Sequence, residues 1–413
     1  MVAPISNSFA LSTLTNRLYD PAVPVSGPAS DVRIEPAATA AEVDRFVRFP
    51  RTIYRDDPHW VPPLLSARKD KLDLGRNPFW RTAERALFVA YRSGQPVGTI
   101  AAIWDPARNK AHGTTDGQFG FFECIDDVAV AQRLLDTAAE WLRAHGATAM
   151  AGPYNPNEGD EFGVLVSGFD TRPAIVEAHT PRYYARLLEA CGMTKRSDAF
   201  AWLVKAPPGA RNAADLLPER FAKVALAIRE GAGVTSRPLD LSRWDAEVET
   251  AWRLFNESLA TVKDFVPIAL ADFRALAGSF RRFVVPEMIR FVEVDGRAVA
   301  YALAVPDINE ALQAAGGKFG PIGMLKFWLR SRRLTRASFK ILVVHPKYRH
   351  RGLEAVLILD VAQAMLDRGF TEADLSMTGE ANTKINGYLE AMGLSVYRTV
   401  RIFAKDLAVT SVT

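Results

Sequence analysis

ILVVHPKYRHRGLEAVLILDVAQAM, residues 341–365, is the stretch whose reading decides the fold. Ile341 to Val344 read as a buried strand, and Glu354 onward reads as a helix. Between them stand Lys347, Arg349, His350 and Arg351, and the turn ends on Gly352. A turn that only reverses the chain needs no such charge. A helix N-terminus offers free backbone N–H groups and a partial positive charge, which together bind phosphate oxygens. Gly352 would let an anion approach the backbone, and Arg349 and Arg351 would add forked donors. Taken alone, a short basic turn with a glycine is more often simply solvated. Context tips the reading toward an anion site.

Charge is the first part of that context. Between Ala311 and Leu353 lie ten Lys or Arg and no Asp or Glu. Outside that span 51 − 10 leaves 41 basic residues against 47 acidic ones, a net of −6. The basic excess therefore sits in one segment and points to one anionic partner surface. The 413-residue chain has room for two domains, and its 48% hydrophobic and 24% charged residues suit a soluble globular protein. No apolar run approaches the roughly 20 residues that span a bilayer. The first twenty residues carry no charge before Arg17, so they lack the basic start of a signal peptide. Cys124 and Cys191 are the only cysteines, which suits a reducing compartment. The expectation is a cytoplasmic protein.

The chain then divides. Residues 1–30, with Pro21, Pro24, Gly27 and Pro28, read as a flexible leader. "KAPPGARNAADLLPER" (205–220) reads as a joint, within a linker at 207–233. On either side a weak repeat is visible. "LFVAYRSGQPVGTIAAIW" and "RFVEVDGRAVAYALAV" are each two strands around a glycine turn. "YYARLLEACGM" and "NGYLEAMGL" are each a helix stopped by glycine, and both halves close on an apolar strand, "AFAWLVK" and "RTVRIFAKDL". The reading is one α/β unit twice, near 31–206 and 234–413. In the first copy the strand "QFGFFEC" runs into Ile125, Asp126 and Asp127 before its helix. Aspartates cap a helix but repel phosphate, so only the second copy is expected to hold an anion there.

At this point the sequence resembles the GNAT acyltransferase superfamily. Its pyrophosphate motif, Arg/Gln-x-x-Gly-x-Gly/Ala, aligns with Arg349, His350, Arg351, Gly352, Leu353 and Glu354. Glu354 stands where the family has a small residue, and Ala355 follows it. "ADLSMTGEANTKINGYLEAMGL" resembles the superfamily's fifth strand, the Asn after it (Asn382) and the next helix. The resemblance implies two tandem GNAT-like domains, α/β, with mixed twisted sheets flanked by helices, the first copy degenerate. It also implies direct transfer from acyl-CoA, with backbone N–H groups around Val343 and Val344 polarising the thioester carbonyl. The family's usual acid is a Tyr four residues before the helix-ending glycine. Leu389 occupies that place and Tyr388 precedes it, turned by about 100° around the helix. Tyr388, Glu380 after the fifth strand and His345 at the end of the fourth are the catalytic candidates. Each has a plainer reading, as core, solvated carboxylate and structural imidazole. The six histidines show no metal spacing, so no metal site is expected.

Two further stretches carry expectations. "GGKFGPIGMLKFWLRSRRLTR" (316–336) has only a short polar counterpart, "DPARNKAHGTTDG", in the first copy. On a helix from Pro321, Lys326, Arg330 and Arg333 share a stripe, while Ile322, Leu325, Trp328 and their neighbours cover most of the rest. That pattern predicts a helix lying in an anionic membrane surface. The alternative is a core helix whose arginines snorkel to solvent, and an acidic acyl carrier protein would also fit the charge. "GPYNPNEGDEFGVLVSGFD" gathers Asn155, Asn157, Glu158, Asp160 and Glu161. Turn chemistry explains many such residues, and a pocket for a cationic amine is the functional reading.

With "DPHWVPPL", "NPFW" and "GFFECIDD", these phrases look like a bacterial family of two-part GNAT-like proteins that includes bacterial ceramide synthases. That resemblance implies transfer of a long acyl chain to a sphingoid amine, beside a membrane. The alternatives are acetylation of a small soluble amine and a non-catalytic protein that binds acyl-CoA or membrane. Use of aminoacyl-tRNA would require salt-sensitive RNA binding, and nucleic acid is the less expected partner.

Overall fold

The computed structural model describes residues 31–231, 233–261, 265–317 and 320–407, so the expected leader at 1–30 lies outside the described residues. The first copy begins with β1 (Val32–Pro36), α1 (Ala40–Arg48), α2 (Pro50–Ile53) and α3 (Leu65–Leu72). Next come the hairpin β2 (Glu84–Arg92) and β3 (Gln95–Trp104), α4 (Pro106–His112), β4 (Asp116–Cys124), α5 (Val128–Ala144) and β5 (Ala149–Gly152). Two-residue strands β6 (Tyr154–Asn155) and β7 (Glu161–Phe162) pair with each other, and β8 (Val164–Ser167), α6 (Tyr184–Ala190) and β9 (Thr194–Lys205) complete the copy.

The second copy opens with α7 (Glu219–Arg229), β10 (Val234–Pro238), α8 (Trp244–Leu259) and α9 (Leu270–Phe280). The hairpin β11 (Ile289–Val294) and β12 (Arg297–Pro306) follows, then α10 (Asn309–Ala315), α11 (Pro321–Ser331) and β13 (Arg336–Val344). The chain closes with α12 (Leu353–Asp367), β14 (Glu372–Gly379), α13 (Thr383–Ala391) and β15 (Val396–Asp406).

All but the β6–β7 pair join one mixed sheet, ordered β1-β2-β3-β4-β5-β15-β9-β14-β13-β12-β11-β10, with β8 also on β15. The order is nearly symmetric about its centre because the copies exchange their last strands. β15 pairs with β5, β9 pairs with β14, and β9 and β15 pair with each other. "AFAWLVK" is apolar on successive residues, as a strand buried on both faces must be. Trp202 within it is fully buried, and its indole N–H donates to Thr378 Oγ1 of the other copy at 2.8 Å. The stretch expected as a linker carries α7, whose Ala225 packs with Ala355 and Leu359 of α12, and Ala213, just before α7, joins the same cluster.

Each copy holds one long helix against its sheet. On α5, Val130, Leu134, Leu135 and Leu142 are buried, each stabilising the fold by about 1.5–3 kcal/mol. Val356, Leu357 and Val361 do the same for α12. Each copy also contains a parallel pair that opens into a wedge. β4 and β5 pair only from Asp116↔Ala149 to Gln118↔Ala151, and β13 and β14 only from Arg336↔Glu372 to Ser338↔Asp374. Just past the last of these pairs, β13 bulges at Lys340, since Leu303 faces Ile341 and Ala304 faces Phe339. β14 loses register with β9 between Asp374 and Met377, where Ser376 takes a positive φ of 63°.

Candidate active site

The two wedges differ in what fills them. In the first copy the chain after β5 folds back inside. The Phe121 N–H donates to Asn155 Oδ1 at 2.6 Å, and a Cβ on Gly120 would stand 1.5 Å from the Tyr154 carbonyl oxygen. The acids expected to hold an amine are already neutralised. Glu161 pairs with Arg68 at 2.9 Å, Asp160 with Lys71 at 2.6 Å, and Glu158 with Arg108 at 2.8 Å. Burial raises the pKa of Glu161, but Arg68 and Lys71 outweigh it and hold the carboxyl at about 2. Asn157 accepts the Gly159 N–H at 2.9 Å, which is turn chemistry. The five residues expected to line a cationic-amine pocket thus lie in a loop that is braced by cations of its own chain. Its counter-charges come from α3 and α4, far away in sequence.

The wedge between β13 and β14 has no such loop among the described residues. The His345 N–H donates to Val299 O at 2.9 Å, which fixes the phase of the strand. By antiparallel alternation Val343 also turns its backbone to β12, while Leu342 and Val344 face the wedge. Arg349 Nε meets Val344 O at 3.3 Å from that side. Of the two residues expected to polarise the thioester, Val344 faces the wedge together with Leu342, and Val343 faces β12.

At the turn into α12, Gly352 is the N-cap with φ 73°, and no side chain caps the helix. In the first copy Asp127 caps α5, accepting from the Ala129 and Val130 N–H groups at 2.8 and 3.2 Å. The contrast expected from the two turns is therefore present. Arg351 is exposed, with its guanidinium 5.0 Å from the centre of the Tyr348 ring. His350 is exposed at φ 62°, Leu353 and Ala355 are buried, and Glu354 is half-buried. Arg349 is engaged by the protein itself. It donates to Thr261 Oγ1 at 3.1 Å and Ser258 O at 2.5 Å, bracing the turn against the end of α8. Gly352 has a second neighbour that the sequence did not suggest: a Cβ there would stand 2.5 Å from Ile228 Cδ1 of α7.

The three catalytic candidates are not brought together; among the described residues no hydrogen bond or ion pair joins them. His345 Nε2 lies 3.6 Å from Glu257, Nδ1 accepts from the Lys347 N–H, and burial lowers its pKa. Glu380 accepts from Lys195 Nζ at 2.6 Å and is tied to the start of β9. Tyr388 is exposed on α13, 6.3 Å from the Phe221 ring of α7, and burial followed by the charge of Glu354 raises its pKa. Asn382 caps α13, accepting the Ile385 N–H at 3.4 Å.

The structure assembles a different group at the closed end of this wedge. Asp374, fully buried, accepts from Ser338 Oγ at 2.6 Å, the Ser376 N–H at 3.2 Å and Lys340 Nζ at 3.4 Å through Oδ1. Its Oδ2 takes the Tyr397 hydroxyl at 3.0 Å, and that hydroxyl also lies 3.3 Å from Glu177 Oε2. Burial, then the charge of Asp374, pushes Glu177 up to about 8. Burial also works against ionisation of Asp374, but Lys340 and the bonds from Ser338, the protonated Glu177 carboxyl and Tyr397 prevail and hold its pKa low. Ala337, Phe339, Leu342 and Val344 pack toward α12, while Ile341 and Val343 pack toward α8. Ser338 alternates with Ala337 and Phe339, so the Asp374 group lies on the sheet face opposite α12. Sequence reading missed it, although charged Lys340 and Asp374 inside strand patterns are the signal that could have found it.

Nearby, a pocket of about 490 Å³ is lined by Tyr54, Asp57 and Trp60 with Gln313 and Gly316 at the end of α10. Asp57 pairs with His179 at 2.8 Å, on the same segment as Glu177. Among the described residues no group of three His, Cys, Asp or Glu side chains could hold a metal ion. No described helix is long and apolar enough to cross a membrane.

A paired sheet of this order, with two wedges and one open N-terminal helix turn, is a tandem GNAT architecture. A tandem GNAT protein from the clavulanic acid biosynthesis pathway superposes over 92% of this chain and 100% of its own, with a TM-score of 0.54 at 13% identity. The glucosamine N-acetyltransferase region of a fungal β-N-acetylglucosaminidase covers 91% of this chain and 38% of its own, with a TM-score of 0.52 at 16% identity. The sequence gives the family. The bacterial ceramide synthase of Caulobacter vibrioides is 32% identical over 394 residues, covering 93% of this chain and all of its own, and the chain belongs to that family. Protein YghO of Escherichia coli is 29% identical over 372 residues, 89% of this chain and 93% of its own. No family model matches the chain. The protein is a GNAT-type N-acyltransferase.

Proposed function

We propose that this protein transfers a long acyl chain from acyl-CoA to the amine of a sphingoid base at the surface of the cytoplasmic membrane. One observation carries the reading: the open β13–β14 wedge lies between an uncapped helix turn on one sheet face and a buried polar group on the other. The thioester enters from the α12 side. Its pyrophosphate rests on the backbone N–H groups of Gly352, Leu353 and Glu354, with Arg351 adding charge, while the Ala355 N–H closes the turn on Gly352 O. The carbonyl oxygen meets the wedge-facing amides of Leu342 and Val344, which stabilise the negative charge of the tetrahedral intermediate. The amine arrives from the opposite face, attacks the carbonyl carbon, and the thiolate leaves. Tyr388, on the α12 side beside Glu354, is the candidate to protonate that thiolate.

The lipid part of the reading is supported by α11. Among its described side chains Ile322 is 73% exposed and Trp328 48%, with Met324, Leu325 and Leu329 also exposed. Only Gly323 of the helix is buried, which disfavours the core-helix alternative. Lys326 and Arg333 are exposed, and the Arg332 guanidinium lies 3.5 Å from the centre of the Trp328 ring. Arg330 is the exception within the expected stripe, since it pairs with Glu310 of α10. An exposed apolar face with cations at its rim suits insertion among anionic headgroups. The pocket beside Gln313 opens at the base of this α10–α11 insert, a fitting place for the polar end of a membrane-held amine.

The test is transfer by purified protein in anionic vesicles carrying sphinganine or 3-ketosphinganine, with palmitoyl-CoA, acetyl-CoA or acyl carrier protein as donor. N-acylated lipid with a long-chain donor, lost without vesicles, supports the reading. Transfer only to small soluble amines, or equal rates without lipid, would count against it.

A further inference from the structure

We propose that Glu177, which the first copy delivers into the second copy's wedge, is the base that accepts the proton of the attacking amine. The inference rests on the acyl-transfer reading and adds a residue and a role to it.

The segment that carries Glu177 is held from several sides. Arg398, fully buried, donates to the carbonyl oxygens of Gly168, Thr171 and Ala178 at 3.3, 2.6 and 2.7 Å. Arg336 donates to Arg172 O at 3.2 Å, and Asn309 Nδ2 to Pro173 O at 3.1 Å. Val176 is kept at φ 66°, a conformation that a β-branched residue adopts only when its surroundings impose it. So much fixing, across two copies of one fold, positions the next side chain closely.

Within the cluster the two carboxylates have different roles. Asp374 is saturated: Ser338, Ser376, Lys340 and Tyr397 all donate to it. Glu177 is not. Its Oε2 accepts from the Ala174 N–H and lies 3.3 Å from the Tyr397 hydroxyl, whose proton goes to Asp374, and 3.6 Å from Arg398 Nε, while Oε1 is buried without a hydrogen-bond partner. A buried carboxylate oxygen left bare needs a reason, and a donor supplied by a substrate is one. The charged groups around Glu177 are Asp374 on β14, Lys340 and Arg336 on β13, and Arg398 with the Tyr397 hydroxyl on β15. Together they set a carboxyl that titrates at about 8, near the working range of a base for an alkylammonium.

The protons balance. The ammonium gives one proton to the Glu177 carboxylate, and the neutral amine forms the C–N bond as the C–S bond breaks. The amide nitrogen then loses its second proton while the thiolate gains one. The net release of one proton to solvent discharges Glu177.

The test compares wild type with Glu177→Gln in single-turnover transfer from palmitoyl-CoA to sphinganine, to a short alkylamine and to hydroxylamine, which is already neutral at the assay pH. Loss of one general base predicts a fall of about 10²–10⁴-fold with the two ammonium acceptors. Transfer to hydroxylamine should survive, and palmitoyl-CoA should still raise the melting temperature. The wild-type rate should also rise with pH through about 8, a limb missing in the variant. A variant that transfers to sphinganine at the wild-type rate, or that loses both acceptor classes equally while still binding donor, overturns the inference. Should the variant not fold, the wild-type profile decides, because a flat rate between pH 6 and 9 also overturns it. Wild-type protein that acylates none of the three acceptors sinks the acyl-transfer reading itself, and that outcome is distinct from the others.

Discussion

Asn155 accepts the backbone N–H of Phe121 at 2.6 Å, on the strand that corresponds in the first copy to the one whose amides face the open wedge in the second. One copy has closed its wedge with its own chain and serves as scaffold. If so, Asn155→Ala should destabilise the protein by about 1–3 kcal/mol, because a buried N–H is left unpaired. Urea denaturation should show a lower midpoint at unchanged slope, while the folded variant keeps its transfer rate. A large loss of activity in folded protein would place chemistry in the first copy's own wedge.

Gly352 faces two demands, a positive φ and the side chain of Ile228 2.5 Å from where a Cβ would stand. Gly352→Ala should therefore cost about 1–3 kcal/mol from strain and overpacking. Adding Ile228→Ala should recover the crowding part but not the φ part, and a double-mutant cycle on melting curves separates them. Arg351→Gln should leave stability within about 0.5 kcal/mol and weaken the protection that palmitoyl-CoA gives against heat.

Replacing Ile322, Leu325 and Trp328 with Ser should change the melting temperature little, since all three are exposed. Cosedimentation with anionic vesicles should fall sharply. Lys326→Gln with Arg333→Gln should weaken binding by about 1 kcal/mol per charge, an effect that added salt mimics in wild type.

Asp374→Asn removes a buried charge that faces Lys340, with Arg398 and Arg336 close by. Leaving buried cations uncompensated should cost about 3–5 kcal/mol. Near-UV circular dichroism should report loosened packing, and transfer should be lost.

Glu177 also links stability to pH. Its folded pKa, about 8, lies above the ordinary glutamate value of 4.5, so the folded protein holds this proton more tightly. That contribution is full below the unfolded pKa and is lost as pH rises through about 8, at no more than about 1.4 kcal/mol per pH unit. Glu161 behaves oppositely. Held at about 2, it contributes above its unfolded value and loses that contribution as pH falls. Melting curves from pH 5 to 9 should therefore decline more gently in Glu177→Gln than in wild type.

Local pattern made much of this legible. The strand–turn–helix at 341–365, the repeat, the acidic contrast at Asp126 and Asp127 and the apolar stripe around Trp328 are all short-range signals, and each has a counterpart in the structure. What was not legible depends on pairing across the chain. Nothing near Asp160 or Glu161 announces that Lys71 and Arg68 will neutralise them. Nothing in "AFAWLVK" says that it will pair with the other copy's fifth strand. Glu380 and Tyr388 come from reading a family pattern, Tyr388 one residue off its place, while Glu177 reaches the wedge from a segment about 160 residues away, which no local motif encodes.

The most direct test of the central claim is mass-resolved transfer of a palmitoyl group from palmitoyl-CoA to sphinganine by the purified full-length chain on anionic vesicles. The account predicts one N-palmitoyl product per CoA released, at a rate that drops sharply in Glu177→Gln. Release of CoA without N-acylated lipid, or no release at all by folded protein that binds the donor, would contradict it.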